Sequence, residues 1–112
     1  MKLATLIPTQ SGAADVTSAA MELGDISNFS ISVDFTGSNL AGTLTLECSN
    51  ESAIAGFTTV ANSSQSVTSS ADHMWSVSGA GYRWVRVFWD YTSGTGNITA
   101  KFVGKEQLVK PA

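Results

Sequence analysis

The chain has 112 residues, a formal net charge of −3, and only 13% charged residues. This length allows one domain whose core is large enough to fold without staples. The acidic balance leaves no basic footprint for nucleic acid, and the single cysteine, Cys48, excludes an internal disulfide and a cysteine-based zinc site. Serine and threonine make up about a quarter of the chain, as in extracellular β-domains, virion proteins and adhesins.

The first residues, MKLATLIPTQSG, contain only a short apolar run before Pro8. That run is too short for a secretory signal and far too short for a membrane span. We therefore expect a protein that is made in the cytoplasm, carries no signal peptide and has no membrane partner.

Short β-favouring runs alternate with turn signals along the chain, and no window shows a helical stripe. The pattern predicts an all-β fold, an antiparallel β-sandwich, with residues 1–112 forming a single domain. Within it, residues 1–12 could serve as an N-terminal arm and residues 105–112 as an extended tail. The predicted strands cover residues 3–7, 16–23, 28–35, 43–48, 57–61, 66–69, 73–77, 82–91 and 98–103.

Alternation of apolar and polar residues predicts which side chains face the core. Strands 28–35 and 43–48 are expected to pair antiparallel, and the glycines of SGTGN are expected to join 82–91 to 98–103 in a tight hairpin. The predicted core lies between two sheets. Its residues are Phe29, Ile31, Val33, Phe35, Leu44, Leu46, Val85, Val87 and Trp89.

Strand 82–91 also has a second apolar face, which the core of a lone sandwich does not need. This face carries large aromatics and an arginine, the residue types enriched in the centres of protein interfaces. The expected interface residues are Tyr82, Trp84, Arg86 and Phe88. Another subunit, a sugar or a neighbouring loop of the same chain could cover this face. Asp90 is expected to close its edge through an ion pair.

Candidate catalytic groups are few. His73 is the only histidine, and no G-x-S-x-G motif surrounds any serine. His73 with Asp72 would lack the remaining ligands of a metal site, and no phosphate-binding fingerprint is present. We therefore expect a non-enzymatic protein without a catalytic residue, a cofactor or a bound metal.

Five tryptophan and tyrosine residues crowd into positions 75–91. Such rings could form a stacking platform for carbohydrate, or they could supply the core and one subunit interface. They are Trp75, Tyr82, Trp84, Trp89 and Tyr91.

Two segments resemble a known family. Residues 49–60, SNESAIAGFTTV, are similar to the S-N-D-x-x-x-W/F-x-x-V element of discoidin-like, galactose-binding-type jelly rolls, and GYRWVRV resembles the strand that follows it there. From residue 40 to residue 106 the chain resembles small structural proteins of tailed bacteriophages still more, through its GYRWVRV, SGTG and AKFVGK segments.

The resemblance implies a jelly-roll sandwich and a virion structural protein without catalysis. The most concrete expectation is a head decoration protein that binds the shell as a homo-oligomer and contacts the major capsid protein. A neck or tail accessory protein and a carbohydrate-binding module remain the alternatives.

Overall fold

The computed structural model describes residues 1–37, 39–68 and 72–106. Within these ranges the secondary structure is entirely β, and no described segment is a helix that could cross a membrane. The strands are β1 (Lys2–Ser11), β2 (Val16–Thr17), β3 (Met21–Glu22), β4 (Ile26–Thr36), β5 (Ala41–Ser49), β6 (Thr58–Thr59), β7 (Gln65–Val67), β8 (His73–Val77), β9 (Trp84–Ser93) and β10 (Asn97–Glu106).

These strands form two antiparallel sheets that pack face to face. Sheet A has the order β1-β10-β4-β8, and in sheet B strand β9 lies between β5 and the short pieces β2 and β3, while β6 and β7 pair with the other side of β5. The chain passes repeatedly from one sheet to the other. This strand order is that of a jelly roll, so the predicted all-β sandwich is confirmed.

The core lies between the sheets where apolar residues alternate with polar ones. All nine predicted core residues are buried, and Ile31, Leu44 and Trp89 are completely inaccessible to solvent. Strand β10 of sheet A contributes further core residues, such as Ile98 and Phe102. They lie two or four positions apart along the strand, so they also share its inner face. The ring of Phe35 lies 4.9 Å from that of Trp89, which joins the two sheets at the centre of the core.

Two predicted pairings are wrong. Strands β4 and β5 lie in different sheets, and so do β9 and β10. Residues 39–40 and 94–96 therefore lie side by side in connections that lead from one sheet to the other, instead of in turns within one sheet. Their contact is close: Thr95 donates its backbone N–H to Asn39 Oδ1 at 3.2 Å, and a Cβ on Gly94, which has a φ of 91°, would overlap the backbone of Asn39.

Strand β1 continues beyond Pro8, where the sequence predicted its end. The strand lies at the edge of sheet A, and its register against β10 shifts between Thr5 and Ile7 and again between Ile7 and Gln10. An edge strand with such bulges tolerates proline, which has no backbone N–H to donate to the neighbouring strand. The segment considered as an N-terminal arm thus corresponds to β1 in the structure.

The predicted strand 16–23 is divided into β2 and β3. Ser18 causes the break, because its Oγ accepts the backbone N–H of Val87 at 2.8 Å in place of a backbone carbonyl. Side chains of this type compete with ladder hydrogen bonds. Both short strands still pair with β9.

Of the other predicted strands, β8 has the predicted bounds and the rest are present with shifted ends. Strands β4, β5 and β10 extend beyond the predicted bounds, whereas β6 is only two residues long. Strand β7 begins one residue early, and Ser69 at the predicted end of that strand lies outside the described residues. Of the predicted tail, Lys105 and Glu106 belong to β10, and residues 107–112 also lie outside the described residues.

Candidate functional site

Strand β9 divides its side chains between the core and the outer face of sheet B. Val85 and Val87 are completely buried, whereas Trp84, Arg86 and Phe88 alternate with them and are half-buried on the opposite side. The alternation predicted for these positions is thus present in the structure. We call the surface formed by Trp84, Arg86 and Phe88 the β9 outer face.

Arg86 occupies the centre of the β9 outer face and is held from two sides. Its Nε donates to Glu47 Oε1 at 2.7 Å, and its guanidinium carbon lies 3.8 Å from the ring centroid of Phe57. The exposed fractions of the Arg86 and Glu47 side chains are 23% and 20%. This partial burial makes the charge-assisted bond less screened than an ordinary surface pair. The guanidinium is therefore oriented before any partner binds.

The connection between β5 and β6 supplies Phe57 and covers part of this face. Hydrogen bonds within the connection shape it: Ser49 Oγ donates to the carbonyl oxygen of Ala55 at 2.6 Å, and Ser52 Oγ accepts the backbone N–H of Ala55 at 3.1 Å. Ile54, which precedes Ala55 in the chain, is 88% exposed. A loop of the same chain, one of the three coverings considered from the sequence, thus covers Arg86.

Trp84 lies at the end of the β9 outer face where strand β3 pairs with β9. The guanidinium of Arg83 lies 5.9 Å from the Trp84 ring centroid and forms an ion pair with Glu22 at 3.3 Å. Both Arg83 and Glu22 are exposed, so this pair contributes little to stability. The buried Nε1 of Trp84 has no hydrogen-bond acceptor among the described residues.

Phe88 lies on the same face between two threonines on neighbouring strands. Thr17 of β2 and Thr45 of β5 are its register partners. Its ring is half-buried and has no aromatic neighbour among the described residues. The β9 outer face therefore has an aromatic side chain on either side of a fixed arginine.

Tyr82, the fourth predicted interface residue, precedes β9 and packs against the core. Its ring meets Phe29 edge-on at a centroid distance of 6.4 Å. The hydroxyl is buried without a hydrogen-bond partner among the described residues. Burial, with a smaller contribution from the thiol of Cys48, raises the pKa of this hydroxyl above its usual value. The structure thus separates Tyr82 from the other three residues.

The aromatic cluster at positions 75–91 does not form one surface. Trp75 and Trp89 are buried in the core, where their Nε1 atoms donate to the carbonyl oxygens of Ser63 and Gly12, each at 2.8 Å. Tyr91 is half-buried, and its hydroxyl donates to the backbone carbonyl oxygen of Gly94, just after β9. The rings of Trp75 and Trp89 are therefore not available for stacking on a sugar.

The remaining candidate groups are dispersed. His73 Nδ1 lies 2.9 Å from Gln65 Oε1, and Cys48 Sγ lies 3.9 Å from Thr58 Oγ1. Asp90 is exposed and Arg86 pairs with Glu47, so the expected role of Asp90 in closing the face is not observed. Among the described residues, no three histidine, cysteine or carboxylate side chains form a group that could hold a metal ion.

Sequence reasoning missed Glu47 and Phe57 as the partners of Arg86. Alternation places Glu47 on the solvent side of β5, and Arg86 lies directly opposite it in the β5–β9 register. The ion pair would have followed from the sequence if the pairing of these two strands had been predicted. No sequence signal indicates the position of Phe57, which depends on how the connection folds over the sheet.

The fold is similar to that of several solved structures. The SPBc2 prophage-derived protein YomS matches with a TM-score of 0.62 and 16% identity, over 92% of this chain and 90% of that one. The Yersinia pseudotuberculosis-derived mitogen matches with a TM-score of 0.52 and 13% identity, over 96% and 90%. The N-terminal cellulose-binding domain of Cellulomonas fimi β-1,4-glucanase C reaches a TM-score of 0.48 and 11% identity, over 87% and 75%.

The sequence comparisons give no family. Neither a protein-family model nor a curated protein sequence matches the chain. Sequence identity to these solved structures is at most 16%, so the similarities establish the sandwich fold and nothing further.

Proposed function

We propose that the protein is a non-enzymatic structural component of a phage virion, a decoration protein that binds the head shell as an oligomer. In this proposal the β9 outer face contacts the shell protein, with Arg86 at the centre of the contact. The observation that carries the proposal is the fixed position of Arg86 between Glu47 and Phe57.

The chemistry of the β9 outer face supports this role. Tryptophan and arginine are the side chains that most often dominate interface energies, and they do so when they are surrounded by well-packed neighbours. Glu47 and Phe57 already restrict the Arg86 side chain, so less conformational entropy would be lost when a partner orders it. Trp84 and Phe88 add half-buried aromatic area on either side. A protein partner can bury all three together.

The fold similarity supports the phage context. YomS is a prophage-derived protein, and this chain covers 90% of its length with a TM-score of 0.62. The resemblance of the GYRWVRV, SGTG and AKFVGK segments to small phage structural proteins points in the same direction.

The environment of His73 and Cys48 supports a role without catalysis. The ring of His73 lies against an amide oxygen and packs edge-on against Phe35 at 6.0 Å, and the thiol of Cys48 lies near a threonine hydroxyl. A catalytic nucleophile requires an adjacent base that is itself oriented by a third group. Neither residue has such a pair of neighbours among the described residues.

The experiment is to purify particles from cells that carry the gene in its native genome, and to measure their protein content by quantitative mass spectrometry. We expect the chain in a fixed ratio to the shell protein, and gold-labelled antibody on the head. Labelling at the neck or tail would replace the decoration role with that of an accessory protein. Absence of the chain from purified particles would refute the proposal.

A further inference from the structure

Three of the four sheet edges are protected against pairing with another strand. In sheet B the edge strands β2, β3, β6 and β7 are only two or three residues long. In sheet A the backbone carbonyl of Met74 on β8 already accepts the side chain of Gln65 at 3.2 Å. Short edges and covering side chains are devices that prevent strand addition.

Strand β1 is the fourth edge, and within the described part of the chain only its second half is protected. From Thr5 onward it contains two register shifts and Pro8, and the carbonyl oxygen of Leu6 accepts the backbone N–H of Ala19 at 3.3 Å. Bulges and proline are further obstacles to pairing. Along these residues no second strand could continue the sheet.

Residues 2–5 form a regular edge without such protection. They pair with β10 from Lys2 to Thr5 without a register shift. On their other side no described residue takes their backbone groups. Leu3 is 70% exposed, and Met1 beside it is 80% exposed. A regular edge with exposed apolar side chains is a template for another strand.

We propose that this edge binds a second copy of the chain by antiparallel pairing of β1 with β1, which joins two A sheets into one continuous eight-stranded sheet. A twofold axis perpendicular to the sheet would pass beside Leu3. Leu3 then lies opposite the partner's Leu3, and Met1 lies opposite the partner's Thr5. The interface is isologous, so it closes as a dimer and does not propagate.

The sequence of the edge selects this register. In an antiparallel pair, directly opposite side chains point to the same face of the sheet. The twofold axis must therefore pass beside a residue of β1 and not between two consecutive residues. An axis at Lys2 would place two ammonium groups opposite each other, which is destabilising. An axis at Ala4 would require Leu6 to pair, but its carbonyl oxygen is already held by Ala19. At Leu3, each Lys2 lies opposite an alanine.

The pairing is independent of the particle on which the protein acts, so it can be tested on the purified full chain. Light scattering after size exclusion should give twice the chain mass of 11.7 kDa for the wild type. Leu3→Glu would place two carboxylates opposite each other and should halve the measured mass. Met74→Glu is the matched control, because Met74 is 61% exposed on the other edge strand of the same sheet and should leave the dimer intact.

A cross-link tests the register itself. Directly opposite residues of an antiparallel pair have Cβ atoms about 4.5–5.5 Å apart. In a Cys48→Ser background, Leu3→Cys should therefore give a disulfide-linked dimer under mild oxidation, and Met74→Cys should not. A monomeric wild type, an unchanged mass for Leu3→Glu, or equal cross-linking of the two cysteine variants would overturn the proposal. A wild type that is dimeric but does not bind shells would count against the proposed function alone.

Discussion

The indole N–H of Trp89 donates to the backbone carbonyl oxygen of Gly12 at 2.8 Å, which ties a core side chain to the connection after β1. Trp89 is completely buried and belongs to sheet B, whereas Gly12 directly follows β1 of sheet A. The bond supplies a donor to a carbonyl that would otherwise be buried and unpaired, and it fixes the path of the chain as it leaves the first strand.

Trp89→Phe should therefore destabilise the protein by about 2–4 kcal/mol, because it leaves a cavity and a buried carbonyl without a donor. Urea denaturation measures this loss. Trp84→Phe is the matched control, since its Nε1 has no acceptor and the residue is only half-buried. We expect it to cost about 1 kcal/mol or less. Equal losses in the two variants would contradict the importance of the Gly12 bond.

Phe35→Ala should reduce the free energy of unfolding by about 3–5 kcal/mol. Phe35 is only 5% exposed, and its ring contacts Trp89 of the opposite sheet. Such a loss is a large part of the stability of a small domain. Met74→Ala on the solvent side should change the stability by about 0.5 kcal/mol at most. Thermal unfolding of both variants would show whether the core register is correct.

Tyr82→Phe should leave the stability at neutral pH unchanged or slightly raised, because the buried hydroxyl has no described partner to lose. The raised pKa of Tyr82 also predicts a pH effect. The protonated form is favoured in the fold, so its stability contribution is fully present below the unfolded pKa of about 10 and is lost as the pH rises through the folded pKa. The wild type should lose more stability above that pH than Tyr82→Phe does. Parallel alkaline profiles would argue against burial of the hydroxyl.

His73→Ala and Cys48→Ser should both retain shell binding, because neither side chain lies on the β9 outer face. His73 belongs to β8 of sheet A, and Cys48 is the register partner of Val85, which faces the core. Co-sedimentation with shells that lack the protein measures the retained fraction. If either folded variant failed to bind, a metal or thiol site would have to replace the interface proposed above.

The parts of the fold that follow from alternation were predictable from sequence, and the parts that depend on neighbours were not. Periodicity identified Phe29 and Val87 as core residues because it reports which face a side chain occupies. It does not report which strand lies beside it. The SGTGN turn therefore indicated a hairpin, although the contact of Gly94 with Asn39 belongs to a crossover between sheets.

The site shows the same division. The three outward residues of β9 were predicted because they lie in one regular strand. Tyr82 was included with them by counting alternate positions, but the strand begins at Trp84, so the period does not extend to Tyr82. The contact of Phe57 with Arg86 joins residues that are far apart in sequence through an irregular connection. No local pattern could have indicated it.

The most direct test of the β9 outer face as the shell contact is co-sedimentation of the wild type and Trp84→Ala with shells that lack the protein, at low salt and at about 1 M salt, where the Debye length is about 3 Å. A shell contact through the β9 outer face predicts that the wild type stays bound at both concentrations and that Trp84→Ala, while still folded, weakens binding by about 2 kcal/mol or more. Equal binding of the two proteins would contradict it. So would release of the wild type by salt alone, which would assign the contact to the lysines near the C-terminus, Lys101, Lys105 and Lys110, the last of which lies outside the described residues.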